Sequence, residues 1–275
     1  MNTIAIGQRK SIDEIMQFSK TNNEQLKVLV MSESLPAEIR SYVNEYNGLA
    51  WKRDEFIWKW VWSLVNARSP GFALSTVSER HFNEVAALKF LWVMAVTIID
   101  DVCCRLKDFE LAKVLLEVPF RPNVETPMQF SYEKLYAVDL LSKIIKLCQY
   151  KMQTASRYSE FQLLFDYDIK QEWNALEFAN LLHHCPQISN AREHNLYGSH
   201  NMMFYVFADI DLMYSRGFDM QELPALREVL WHAQQMTRIG NWVTSWEREI
   251  EEANLSSGVV GMAIAKGVVH AEAVS

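Results

Sequence analysis

Residues Phe90–Asp108 read FLWVMAVTIIDDVCCRLKD, an apolar run that ends in two adjacent aspartates. From Phe90 to Ile99 the run is about half the ~20 residues needed to cross a bilayer. It reads as a buried core helix. A carboxylate at the end of such a helix is costly unless it is solvated, paired or bound to a metal, so Asp100 and Asp101 are the first candidates for chemistry.

Working outward, apolar residues recur at helical spacing nearly everywhere, and alternating strand-like stretches are scarce. The chain therefore reads as all-α, with eight or so helices around a shared interior. Its 275 residues, 49% hydrophobic, suffice for one large core, so residues 1–275 are taken as a single domain. Ser34 with Pro36 is expected to start one helix. Pro70 and Gly71 break another after FIWKWVWSLV, and Arg121–Pro127 (RPNVETP) forms a loop. Further breaks fall at His183–Asn190, Ser215–Asp219 and Leu223–Pro224. Nine glycines and seven prolines are too few for a loop-dominated fold, and no internal repeat is present.

Charge and composition exclude several function classes. Lys plus Arg number 27 against 34 Asp plus Glu, a net charge of −7 that suits a nucleic-acid backbone poorly. The four cysteines form no CxxC pair and read as reduced thiols, which points to a cytoplasmic protein. The N-terminus MNTIAIGQRK lacks the apolar region of a signal peptide, and no integral membrane segment is expected. His183, His184 and Cys185 stand together before Pro186, but no second pair sits at zinc-like spacing. There is neither a glycine-rich phosphate loop nor a G-x-S-x-G elbow.

The second candidate cluster lies in RIGNWVTSWEREIEEANLSSGVV, Arg238–Val260. Helical steps of four align Asn241, Ser245 and Glu249 along one stripe, roughly 6 Å apart at each step. Aspartate, asparagine, serine and glutamate are hard oxygen ligands that suit Mg²⁺, an ion that prefers to share its shell with substrate phosphates. Two such clusters on facing helices would clamp a diphosphate. The interior between them is rich in rings, with Trp58, Trp60 and Trp62 on one segment, Phe90 and Trp92 on another, and Phe204, Tyr205 and Phe207 on a third. Ring faces fill a core, and they also stabilise a cation.

Asp100–Asp101 after an apolar helix, followed far downstream by Asn241-x-x-x-Ser245-x-x-x-Glu249 with Arg248 before the glutamate, resembles the class I terpene synthases over about Phe82 to Val260. The resemblance implies a helical bundle enclosing an aromatic-lined cavity. It also implies three Mg²⁺ ions held by Asp100, Asp101, Asn241, Ser245 and Glu249, with an isoprenoid diphosphate as substrate. Arg192, Arg238 and Arg248 are the expected diphosphate-binding arginines, because bidentate, permanently charged donors hold a departing anion best. Trp62, Phe90, Trp92, Tyr197 and Phe204 are the expected cavity lining, and Asn195–Ser199 the expected helix break facing the cation. The implied reaction is Mg²⁺-dependent ionisation of a C15 or C20 diphosphate, or of a bicyclic copalyl-type one as in bacterial diterpene synthases. Carbocation cyclisation, then deprotonation or water capture, would follow.

Three departures from the family pattern stand out. Cys104 occupies the place where the first motif usually has an acid, the next acid being Asp108. Trp242 stands where aspartate is common. Only residues 250–275 follow Glu249, so the closing C-terminal helices of the family are expected to be absent or truncated. The alternatives are a chain-elongating prenyltransferase of the same fold and a non-catalytic helical scaffold. A homodimer is a further expectation.

Overall fold

In a computed structural model the described residues are 27–28, 30–66, 72–121 and 123–270. They form α1 (Ala37–Tyr46), α2 (Glu55–Val65), α3 (Phe82–Asp100), a π-helical segment (Asp101–Leu106), α4 (Phe109–Glu117), α5 (Tyr132–Gln153), α6 (Tyr158–His184), α7 (Ala191–His200), α8 (Phe204–Tyr214), α9 (Leu223–Glu251) and α10 (Gly258–Ala265). No strand occurs among the described residues, so the all-α reading holds, and no helix among them is long and apolar enough to cross a membrane.

Helix ends follow local chemistry. The side chains of Asp54, Asp108, Ser131 and Asn190 accept backbone N–H bonds at the N-termini of α2, α4, α5 and α7, each satisfying a donor that the helix itself leaves free. Pro224 sits in the first turn of α9, where its missing N–H costs nothing. The start expected at Ser34 is shifted: Pro36 occupies the N-cap of α1, with no side-chain cap bond. The break expected at Pro70–Gly71 lies outside the described residues, as does Pro122 within the Arg121–Pro127 loop.

Helix α3 is apolar on every side, and every residue from Val85 to Ile99 is buried except Val93 and Thr97. Helices α2, α5, α6 and α8 pack round it. Trp58 of α2 meets Tyr46 and Phe90 at 4.7 and 5.8 Å between ring centroids, while Trp92 packs against Phe165 and Trp173 of α6 at 5.4 and 5.9 Å. Lys89 interrupts this apolar helix. Its ammonium, fully buried, lies 2.6 Å from an Asp211 carboxylate oxygen of α8 and also donates to the Phe72 carbonyl. The other Asp211 oxygen accepts the Leu74 N–H at 2.8 Å.

After α9 the chain folds back, and α10 packs on α7 and α9. Glycine is required twice here, because a Cβ on Gly258 would come within 2.2 Å of the Trp242 ring and one on Gly261 within 2.1 Å of His194. His183 at the end of α6 fastens the preceding turn by a 3.2 Å bond to Asn254 Oδ1.

Removing one partner of a buried ion pair strands the other, which typically costs about 3–5 kcal/mol, whereas apolar replacement of both is often neutral. Lys89→Met is therefore expected to lower the urea-unfolding free energy by that amount, and Lys89→Met with Asp211→Leu to recover most of it. Equal losses in the single and double variants would contradict the assignment.

Burial holds both His183 and His194 down to about 4, with Lys107 and Arg238 respectively adding to the effect. The folded value lies below the unfolded one, near 6.5. Stability from these residues is therefore full above about pH 6.5 and is lost as pH falls toward 4. Unfolding free energy should rise with pH between these limits, and His194→Gln should flatten that rise.

Candidate functional site

A cavity of about 250 Å³ opens beside α3. It exceeds an ordinary packing void and approaches the size of small-molecule sites. Val93 and Thr97, the two incompletely buried residues of central α3, belong to its wall. Trp60, Val61 and Leu64 of α2, with Phe72, Phe204 and Phe207, make an apolar side, and Asp100 with the inner face of α9 makes a polar one.

Asp100 and Asp101 sit where α3 passes into the π-helical segment, which closes on left-handed Lys107 (φ 53°). Neighbours on a helix point about 100° apart, and the two carboxylates have different fates. Asp101 is fully buried, accepting from Tyr46 Oη at 3.1 Å, Arg53 Nε at 2.7 Å and Arg105 Nη1 at 3.2 Å. Asp100 faces the cavity with its side chain 28% exposed, 3.1 Å from Arg53 Nη2 and 3.5 Å from the Cys104 thiol. Enclosure by protein pushes its pKa up, Arg53 opposes that, and Asp101 adds to it. Burial, then Asp100, keeps the Cys104 thiol well above its ordinary pKa; it is a neutral, soft group in the wall.

On α9 the stripe continues one turn further than Asn241–Ser245–Glu249, to Arg238. Arg238 donates from Nη1 to Asn241 Oδ1 at 3.1 Å and lies over the Trp242 ring at 5.3 Å. Its Nε is buried without a partner. Burial lowers its pKa, while Glu249 and Asp100 oppose the shift. The Ser245 hydroxyl lies 2.6 Å from the Asn241 carbonyl and 2.7 Å from Glu249 Oε1. Glu249 Oε2 is buried and unpartnered. Arg248, half exposed, pairs with Glu252 at 2.5 Å and stands 3.8 Å from Glu249.

Asp100, Asn241, Glu249, Arg238, Arg248 and Phe204 thus line one cavity, with Ser245 immediately behind. The other expected residues lie elsewhere. Asp101 is bound within the protein. Arg192 is exposed in the first turn of α7 and does not line the cavity. Trp62 and Phe90 pack on one another in the core at 6.3 Å, and Trp92 turns toward α6. Tyr197 packs on Phe178 at 5.0 Å. The helix break is not at Asn195–Ser199, which continues α7 with the Ser199 hydroxyl bonded to the Asn195 carbonyl. It falls at Asn201–Met203, where Met203 has φ 61° and all three residues reach the cavity. Asp108 caps α4 and pairs with Lys134 at 2.5 Å.

Three further charged groups act here. Arg53 and Arg105 line the cavity beside the acidic pair, and Glu172 of α6 is buried within the field of Arg238 and Asp100. Burial raises the Glu172 carboxyl well above the usual range. A polar residue in the buried stripe Asp168–Glu172–Leu176 was the available signal for Glu172, whereas nothing in local spacing singles out Arg53.

Among the described residues no group of three or more His, Cys, Asp or Glu side chains stands ready for a metal. The oxygen donors face one another across the cavity instead, Asp100 on one side and Asn241 and Glu249 on the other. The buried, unpartnered Glu249 Oε2 suits a hard cation.

Asp101→Asn should weaken three bonds to a buried carboxylate and cost about 3 kcal/mol. Asp100→Asn, at a partly exposed position where burial already disfavours charge, should cost under about 1 kcal/mol. Chemical denaturation of the two variants checks this, and equal losses would contradict the division of roles. In comparisons with known proteins, the chain matches no family model, no curated protein and no solved structure.

Proposed function

We propose that the chain is a class I terpene synthase, which ionises an isoprenoid diphosphate and guides the resulting carbocation to an olefin or an alcohol. One observation carries the reading: an apolar, ring-bearing cavity ends between Asp100 and the Arg238–Asn241–Ser245–Glu249 stripe. Mg²⁺ held by Asp100 on one side and Asn241, Ser245 and Glu249 on the other would supply Lewis-acid neutralisation of the diphosphate.

The chain's own groups account for the rest. Arg238, whose buried Nε has no partner, and Arg248 offer donors to the diphosphate from α9, and Arg53 and Arg105 add positive charge opposite them. These donors are fixed before substrate arrives, so they favour the charge that develops as the allylic C–O bond breaks and its electron pair leaves with the diphosphate. Trp60, Phe72, Phe204 and Phe207 exclude water from the carbon chain and turn π-systems toward the cation. Loss of a proton or capture of water then ends the reaction. The full involvement of Asp101 with Arg53, Arg105 and Tyr46 favours a second reading, a non-catalytic helical scaffold in which the acidic pair is structural.

The deciding experiment incubates the protein with C10, C15, C20 and bicyclic C20 diphosphates and Mg²⁺. Released diphosphate is measured, and extracts are analysed by gas chromatography with mass spectrometry. Turnover should require Mg²⁺, and Asn241→Ala or Glu249→Gln should lower kcat by about two orders of magnitude or more with the helical circular dichroism signal intact. No Mg²⁺-dependent diphosphate release from any of these substrates would favour the scaffold.

A further inference from the structure

We propose that the outer face of α9 is a two-fold interface between two copies of this chain. Beside the inward contacts of Leu223, Leu226 and Trp242, α9 turns many polar side chains inward and a row of apolar ones outward. Its inner face carries Arg227, Gln234, Arg238, Asn241, Ser245 and Glu249, whereas its outer face presents Val229, Met236, Ile239, Val243, Trp246 and Ile250, between 38 and 73% exposed. With exposed His232, these outer residues follow alternating steps of three and four over 229–250, the spacing of a helix–helix seam about 31 Å long. An apolar strip of this length left in water marks a protein contact.

The order of residues along the seam argues for a second copy as the occupant. An isologous contact must be complementary to itself. If two α9 helices run antiparallel about an axis passing between Ile239 and Gly240, Val229 comes level with Ile250 of the second copy and Met236 with its Val243. Ala233 faces Trp246 and Gly240 faces Ile239, so a small residue meets a large one at each position. The ring N–H of His232 comes level with the Glu247 carboxylate. Every pair is apolar with apolar, small with large, or donor with acceptor.

Gly240 supplies an independent observation. A glycine inside a helix lowers its stability relative to alanine, and the fold of one chain does not need this one, since a Cβ there would meet nothing within 4 Å. Close approach of a second helix explains it. The strip is narrower than the about 800 Å² per partner of standard interfaces, so a dissociation constant on the order of micromolar is expected.

Sedimentation equilibrium from about 1 to 100 µM tests this: the mass should rise from 32.0 kDa toward twice that value. Ile239→Lys should weaken dimerisation about tenfold or more. Gly240→Leu should be monomeric yet more resistant to heat, which separates loss of the interface from misfolding. Glu247→Lys and His232→Glu should each weaken the dimer, and the two together restore it. With exposed Cys185 replaced by serine, Gly240→Cys alone should cross-link on mild oxidation, whereas Val229→Cys and Ile250→Cys should do so only in combination. A mass that stays at 32.0 kDa to about 100 µM, or a dimer indifferent to Ile239→Lys, overturns the proposal.

Discussion

The structure depends on one constraint, that α3 has no polar side. A helix apolar all round is stable only where protein covers it all round, and α2, α5, α6 and α8 supply that cover. The cover fails along one line, over Val93 and Thr97, and there the cavity lies. The same line runs on to Asp100. Here the end of α3 and the segment after it carry Asp100 and Asp101 into a region that this wrapping largely closes off, and the surrounding elements bring compensating charge. Arg53 comes from the loop before α2, Arg105 from the next turn, and Arg238 from α9. A polar site at the end of an apolar cavity therefore follows from where the buried helix ends.

Two interior ion pairs elsewhere obey the same rule. Asp168 of α6 is bidentate to Arg227 at 2.5 and 2.9 Å, and Lys89 of α3 meets Asp211 of α8. These pairs complete their own charge. The cavity end does not, since Arg238 Nε and Glu249 Oε2 are both buried and unpaired. Unmet donors and acceptors of opposite sign, held about three turns apart on one helix, are the features that a charged ligand would satisfy.

The sequence made some of this legible and concealed the rest for physical reasons. A buried helix ending in acids shows as a long apolar run, and a polar stripe as steps of four, because both are properties of one helix. Cavity lining is different. Trp60 and Trp62 are adjacent in the pattern but 200° apart on α2, so Trp60 faces the cavity and Trp62 the core, and only the position of α3 decides between them. Arg53 belongs to no motif and reaches the acids solely through the packing of α2. The helix break was expected at Asn195–Ser199, which contains Gly198, and falls later, at Asn201–Met203. Gly198 lies inside α7, where a Cβ would stand 3.4 Å from Arg238 Nε, so its smallness serves the guanidinium rather than the backbone.

Trp242 and Cys104, two residues beside the polar end of the cavity, share one structural setting. Trp242 packs its indole against Gly258 and lies under the Arg238 guanidinium, so that it fastens α10 to α9 and holds the guanidinium in place. The turn carried by α10 brings Asn254 and Ser256 into the cavity wall, with Ser256 Oγ 3.4 Å from the Cys104 thiol. An acid at 104 would set a second carboxylate against Asp100, beneath a turn that excludes the water needed to solvate it. A neutral thiol lets the turn close. Docking of α10 and completion of the cavity are therefore one event, and residues 242 and 104 are fitted to that packing rather than to ligation.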